Sequence, residues 1–149
     1  MAGSKSNDWE TGVLDHLFLN SSVTLVGDAA GLLPSAAAGS LYISLHTSDP
    51  GEAGSQTTNE TAYTSYARVA VARTAGGWSR SGSTVSNVAN VDHPNCTGSP
   101  GGNITHFGIG TDSSGAGKLL YSGDLTSPIV MGVGVIPRAE AGAITVTEG

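Results

Sequence analysis

Leu41-Tyr-Ile-Ser-Leu-His-Thr-Ser-Asp-Pro-Gly-Glu52 sets a strand directly against a turn. Leu41, Ile43 and Leu45 alternate with Tyr42, Ser44 and His46, the period of a strand with one buried face. Asp49-Pro50-Gly51 then supplies an Asx acceptor, a residue with φ already fixed and one that tolerates positive φ, which together reverse the chain. A histidine, an aspartate and a glutamate so close to a strand end also resemble the mouth of an active site. Strand and turn account for all of them without any catalysis.

The composition points the same way. The chain has 149 residues, enough for one modest core, and 38% of them are hydrophobic. It carries 22 glycines, 19 serines and 15 threonines against only 12% charged residues, which favours short strands and turns over helices. Lys5, Arg68, Arg73, Arg80, Lys118 and Arg138 are the only cations, and the formal net charge is −6. No basic stripe is available to track phosphates, so no nucleic-acid partner is expected. No apolar run reaches the ~18 residues of a membrane span, and MAGSKSNDWE has no signal-peptide pattern, so the expectation is a soluble protein made in a reducing cytoplasm. A lone Cys96 excludes an intrachain disulfide framework and reads as a small buried hydrophobe.

Outward from the opening stretch, one helix is expected near the N-terminus. Ser6 or Asn7 can cap it, Asp8 and Glu10 suit its positive end, and Trp9, Val13 and Leu17 with Leu14 and Phe18 make an apolar stripe, which Gly12 weakens. Residues 1–39 thus form a helix and connector arm, and residues 40–149 a β domain. Strands are expected at 40–47, 66–73, 84–91, 104–110, 118–122, 129–136 and 143–147, separated by turn clusters such as Ser79-Arg-Ser-Gly-Ser83 and Asp112-Ser-Ser-Gly-Ala-Gly117. The fold class is therefore all-β: a jelly-roll-like antiparallel β-sandwich with a short N-terminal helix. The polar loop from Pro50 to Ser65 is longer than a connection needs, as expected of a loop that is functional or held by a partner.

The catalytic motifs fail on inspection. Gly108-Ile-Gly110 to Gly117-Lys118 places Asp112 where a phosphate loop needs glycine and Leu119 where it needs Ser or Thr, so it reads as a hairpin loop. The four histidines are dispersed, and Asp49 is better used in its own turn than beside His46 on a metal. No Gly-x-Ser-x-Gly occurs. Glu52 and Glu60 lack the aromatic walls of a glycosidase cleft. No catalytic residue, metal or cofactor is expected. Within Tyr63-Thr-Ser-Tyr-Ala-Arg-Val-Ala-Val-Ala-Arg73, Tyr66 and Arg68 share a strand face and carry the residue types enriched at interfaces; the alternative is an arginine paired with an acid at the edge of the core. Interface candidates are Tyr63, Tyr66 and Arg68, with Gln56, Asn59 and Glu60 in the preceding loop and Trp9 on the helix.

LYISLHTSDPGEAGSQTTNE, Tyr63-Thr-Ser-Tyr-Ala-Arg-Val-Ala-Val, His106-Phe-Gly-Ile-Gly and Gly117-Lys-Leu-Leu-Tyr-Ser-Gly123 together resemble a family of small tailed-phage structural proteins. Its members are described loosely as tail-fibre or minor structural proteins. In length and mass the chain is also similar to capsid cement proteins of the kind on the head of a tropism-switching Bordetella phage. That resemblance implies a jelly-roll decoration protein on the outer surface of the virion capsid, bridging major capsid protein subunits and pairing with itself as a homodimer. The alternative it leaves is a tail or tail-fibre component.

Overall fold

The computed structural model describes Met1–Gly149. One helix, α1 (Asn7–Leu19), precedes nine strands: β1 (Ser40–His46), β2 (Val69–Ala72), β3 (Trp78–Ser81), β4 (Thr84–Asn87), β5 (Val91–Asp92), β6 (Ile104–Gly110), β7 (Leu119–Ile129), β8 (Arg138–Ala139) and β9 (Thr145–Thr147). The strands form sheets ordered β2-β1-β6-β7, β3-β4-β9 and β5-β8. The pairs β1–β6, β6–β7, β3–β4, β4–β9 and β5–β8 are antiparallel. The protein is thus all-β with antiparallel sheets and one short N-terminal helix, the expected class.

The chain gathers into two compact units, each assembled from separated stretches. The first unites Met1–Ser40 with Ala72–Asn90 and Glu140–Gly149. Ser6 caps α1 by accepting from the Trp9 N–H, and Asn20 closes it in the left-handed conformation. The C-terminal turn is finished by Arg73, whose guanidinium donates to the carbonyls of Leu17 and His16 at 2.6 Å each. A cation at a helix C-terminus satisfies orphan carbonyls and opposes the dipole. Arg80 grips Asp15 through both carboxylate oxygens on the helix flank. Leu14 and Phe18 are buried, and the Phe18 ring meets Trp78 edge-on with centroids 4.7 Å apart. The expected stripe is narrower than its sequence suggests, since Trp9 is exposed and Val13 and Leu17 are half-buried.

A polar hub closes this unit. Asn87 is buried; its Nδ2 donates to the carbonyls of Ala89 and Glu140, and its Oδ1 accepts the Ile144 N–H. This use of Asn87 ends β4, so the expected strand at 84–91 divides into β4 and β5. The turn cluster at 79–83 conceals β3: Ser81 pairs with Thr84, leaving a two-residue hairpin loop that begins on Gly82 at φ +59°. Positive φ at the first loop position is what such a tight reversal requires.

The second unit comprises Leu41–Val71 and Val91–Ala139. Its core joins Leu45, Tyr63, Cys96, Ile104 and Met131, with Tyr66, Phe107, Leu125, Ile129 and Val135 packed around them. Cys96 is fully buried, as expected of a small hydrophobe. Strands β1 and β6 match their expected spans, while β7 runs on to Ile129 in place of stopping at 122. The strand expected at 129–136 does not form. Val130, Val133 and Ile136 are exposed at a spacing of three, which a period of two cannot produce, and Cys96 instead bonds Val135 and Gly134 through its backbone.

Replacing Phe18 with alanine should cost about 3–5 kcal/mol, because it empties a fully buried aromatic site. Trp9→Ala should cost less than about 1 kcal/mol, since the side chain is substantially exposed. Urea unfolding of the two variants checks the contrast.

Candidate functional site

Arg68 stands at the centre of the second unit's polar contacts. Its Nε donates to Glu60 Oε1 at 2.7 Å and its Nη2 to Glu60 Oε2 at 2.8 Å, a forked pairing that a planar guanidinium fits and an ammonium does not. The same head donates to the carbonyls of Asp112 at 2.9 Å and Gly115 at 2.7 Å. Only 3% of the Arg68 side chain and 14% of the Glu60 side chain are exposed. The hydrogen bonds to Glu60 raise the Arg68 pKa further, so it holds its charge at any ordinary pH.

Tyr66 completes the cluster by donating from its hydroxyl to Glu60 Oε1 at 2.8 Å while accepting the Leu45 N–H at 3.1 Å. Burial drives its pKa far up, followed by the proximity of the Glu60 carboxylate, so the hydroxyl remains a donor. The Tyr66 ring lies edge-on to Tyr63 at 5.3 Å and stacks over His93 at 6.2 Å. Tyr63 donates to the Pro94 carbonyl at 2.7 Å, and burial pushes its own pKa to about 12.

Gln56 is the second clamp, and it is fully buried. Its side-chain carbonyl accepts the Asp112 N–H at 2.9 Å, its amide donates to the Asp112 carbonyl at 3.2 Å, and its backbone N–H donates to Ala116. The close approach requires glycine at position 110, where a Cβ would lie 2.1 Å from the Gln56 side-chain carbon. Two loops are thereby locked together: Thr47–Glu60 after β1, and Thr111–Lys118 between β6 and β7. The second is the hairpin loop expected in place of a phosphate loop.

The opening stretch is resolved in the same terms. Asp49 Oδ1 accepts the Gly51 N–H at 2.8 Å, the expected Asx turn. His46 is fully buried. Its Nδ1 faces the Thr58 carbonyl at 2.8 Å and must donate there, which leaves Nε2 to accept from Ser44 Oγ at 2.9 Å in the neutral ring. Both nitrogens are thus spent on β1 and the loop that follows it. Burial lowers the His46 pKa, against the Thr58 carbonyl and Glu60, which raise it. His93 is likewise lowered by burial, with its Nε2 on the Ile43 carbonyl at 3.2 Å.

Of the seven interface candidates, the structure brings five into one cluster: Tyr66, Arg68, Glu60 and Gln56 fix the two loops, and Tyr63 packs edge-on against Tyr66. Their polar atoms are turned to contacts within the chain, so the arginine is paired with an acid at the edge of the core, the second of the two readings of the Tyr66/Arg68 face. Asn59 is exposed at φ +55° and donates to the Asp49 carbonyl at 2.9 Å. Trp9 belongs to the other unit. Residues that sequence reasoning passed over are Asp112 and Gly115, which contribute only backbone and so leave no side-chain signal. Beside the loops an open cleft of about 270 Å³ is lined by Asp49, Glu52, His106, Ser122 and Asp124, with His106 Nε2 2.6 Å from Asp124 Oδ1.

Residues 4–147 match a family model described as podophage GP4 fiber I protein gp80. The chain belongs to that family. No curated protein matches it. The GP4 fiber I family is one of phage virion structural proteins, so the tailed-phage resemblance holds at that level, and the fibre description leans toward the tail or fibre alternative.

Two buried neutral histidines make the fold acid-sensitive. Both folded pKa values lie below the unfolded value near 6.5, so the unfolded chain binds more protons as acidity rises. Their contribution is complete above about pH 6.5 and is lost as pH falls through the folded values. Urea midpoints should fall between pH 7.5 and pH 5, and a His46→Gln, His93→Gln double variant should show a flatter profile. An unchanged slope in that variant would place the acid sensitivity elsewhere.

Proposed function

We propose that the chain is a non-catalytic building block of a podophage fibre, joined to neighbouring copies and to the virion through preformed surfaces. The observation that carries this is the match to a fibre protein model along residues 4–147. The chemistry of the loop cluster supports it. Arg68, Tyr66 and Gln56 are committed to holding backbone, and Glu60 to holding Arg68 and Tyr66, which preorganises the Thr47–Glu60 and Thr111–Lys118 loops before any partner arrives. Preorganised loops lose less entropy on docking, which suits a particle component that must assemble once and stay. A repeated component also gains from linkage, since many modest contacts hold together through effective concentration.

A second reading rests on the chain's likeness in length and mass to cement proteins. In it the same rigid loops would dock on the major capsid protein at the outer surface of the head, and the homodimer would bridge neighbouring subunits. The acidic balance of −6 suits a basic docking surface in either case.

Copy number and position separate the two. Quantitative mass spectrometry of purified virions, with gold-labelled antibody imaging, should find few copies per particle, located on fibres. Hundreds of copies spread over the head would overturn the fibre reading and favour decoration.

A further inference from the structure

Between α1 and β1 the chain makes an excursion, Ser21–Pro34, whose neck is closed by its own flanks. Asn20 pairs with Ser35 twice, its Nδ2 donating to the Ser35 carbonyl at 3.0 Å and its Oδ1 accepting the Ser35 N–H at 2.9 Å. Above that, Val23 and Leu32 exchange both backbone bonds, at 2.9 and 2.8 Å. Gly31 is required there, because a Cβ would lie 2.0 Å from the Val23 carbonyl oxygen. At the tip Asp28 Oδ1 accepts the N–H groups of Ala30 and Gly31, both at 2.9 Å. The result is a finger of fixed shape, closed at its base in the manner of an Ω-loop.

Its outward side chains do not serve the fold. Every residue from Thr24 to Ala30 is exposed, and so are Leu32 and Leu33. Leu25 and Leu33 are the extreme cases, at 80% and 66% exposure, with Val26 also in the open. Leu25 moreover holds φ +67°, a left-handed conformation that costs a leucine what glycine would avoid. Single exposed aliphatics are ordinary, but Leu25, Val26, Leu32 and Leu33 on one closed loop are not scattered.

We propose that this finger docks the chain on a different protein of the virion, one that offers an apolar groove with a lysine or arginine at its edge. The four aliphatic side chains supply the apolar contact, and the closed neck means that little order has to be gained on docking. The cation follows from Asp28. Its Oδ1 is engaged within the finger, so seating the tip covers Oδ2, and a covered carboxylate oxygen needs a charged donor. A second copy of the chain is a poor source of one. Lys5, Arg68, Arg73, Arg80 and Arg138 are all engaged within the fold, and Lys118 alone remains, at the end of the polar Asp112–Gly117 loop. A lipid surface fits no better, since the finger carries a carboxylate and no basic or aromatic residue to sit among headgroups.

This deepens the fibre reading by naming the surface that joins the chain to the rest of the particle. It is tested on phage carrying each variant in its own gene, with virions purified and the chain counted by quantitative mass spectrometry. Leu25→Gly with Leu33→Ser removes the apolar contact; the purified variant should keep the wild-type melting temperature while its copy number in virions falls about tenfold. Asp28→Asn keeps the acceptor that shapes the tip and should lower the copy number several-fold. A photo-crosslinker in place of Val26 should join the chain to a different virion protein. Variants that load as well as wild type, crosslinks between two copies of this chain, or flotation of the free chain with phosphatidylcholine vesicles each overturn the proposal. Should the double variant fail to fold, Asp28→Asn and the crosslink decide. Absence of the wild-type chain from virions would sink the building-block reading and the finger with it, whereas finding it on the head would sink the fibre reading alone.

Discussion

The forked pairing of Arg68 with Glu60 is the contact on which the second unit's loops depend. Glu60 sits at the end of one loop, Arg68 just ahead of β2, and the arginine's remaining donors reach the carbonyls of Asp112 and Gly115 in the β6–β7 hairpin. One side chain therefore ties the end of the first loop and the start of β2 to a hairpin more than forty residues away. Taking both charges out of water is costly, and the gain is recovered only because the arginine's donors meet four oxygens and the carboxylate also accepts from Tyr66. A pair of this kind contributes little over a well-packed apolar substitute, but it fixes one geometry. Breaking one half strands the other, at about 3–5 kcal/mol.

The other arginines follow the same logic. Arg73 ends α1 by holding its last carbonyls, Arg80 ties the helix to β3 through Asp15, and Arg138 pairs with Asp92 across β5–β8, with Nε 2.5 Å from Asp92 Oδ1. Each arginine is engaged in holding the fold. In a chain with few charges, this leaves an acidic, serine- and threonine-rich exterior. No cationic patch is left over for other work, in keeping with a structural role in a virion.

Several features were legible in sequence. The alternation of Leu41, Ile43 and Leu45 located β1, and Ile104 to Gly110 located β6. Ser6 and the acidic first turn located the helix start. In each of these the local chemistry and the tertiary structure agree. Other features are set by distant contacts. β3 was concealed because Arg80 and the serines around it have turn composition, and its strand conformation comes from pairing with β4. The Val130–Ile136 segment has strand composition but takes its shape from backbone bonds to Cys96. The site was half legible: Tyr66 and Arg68 stood out by residue type and Gln56 as part of a long polar loop, but nothing local showed that Gln56 is buried, where Gly110 leaves room for it.

The most direct measurement is a double-mutant cycle on the Arg68–Glu60 pair, using Glu60→Gln, Arg68→Met and the two together, read by urea unfolding at pH 7.5. If the pair organises both loops, each single variant loses several kcal/mol, the double variant loses much less than their sum, and the coupling reaches about 2 kcal/mol or more. Additive losses with a coupling near zero would mean that the loops hold their form without this pair.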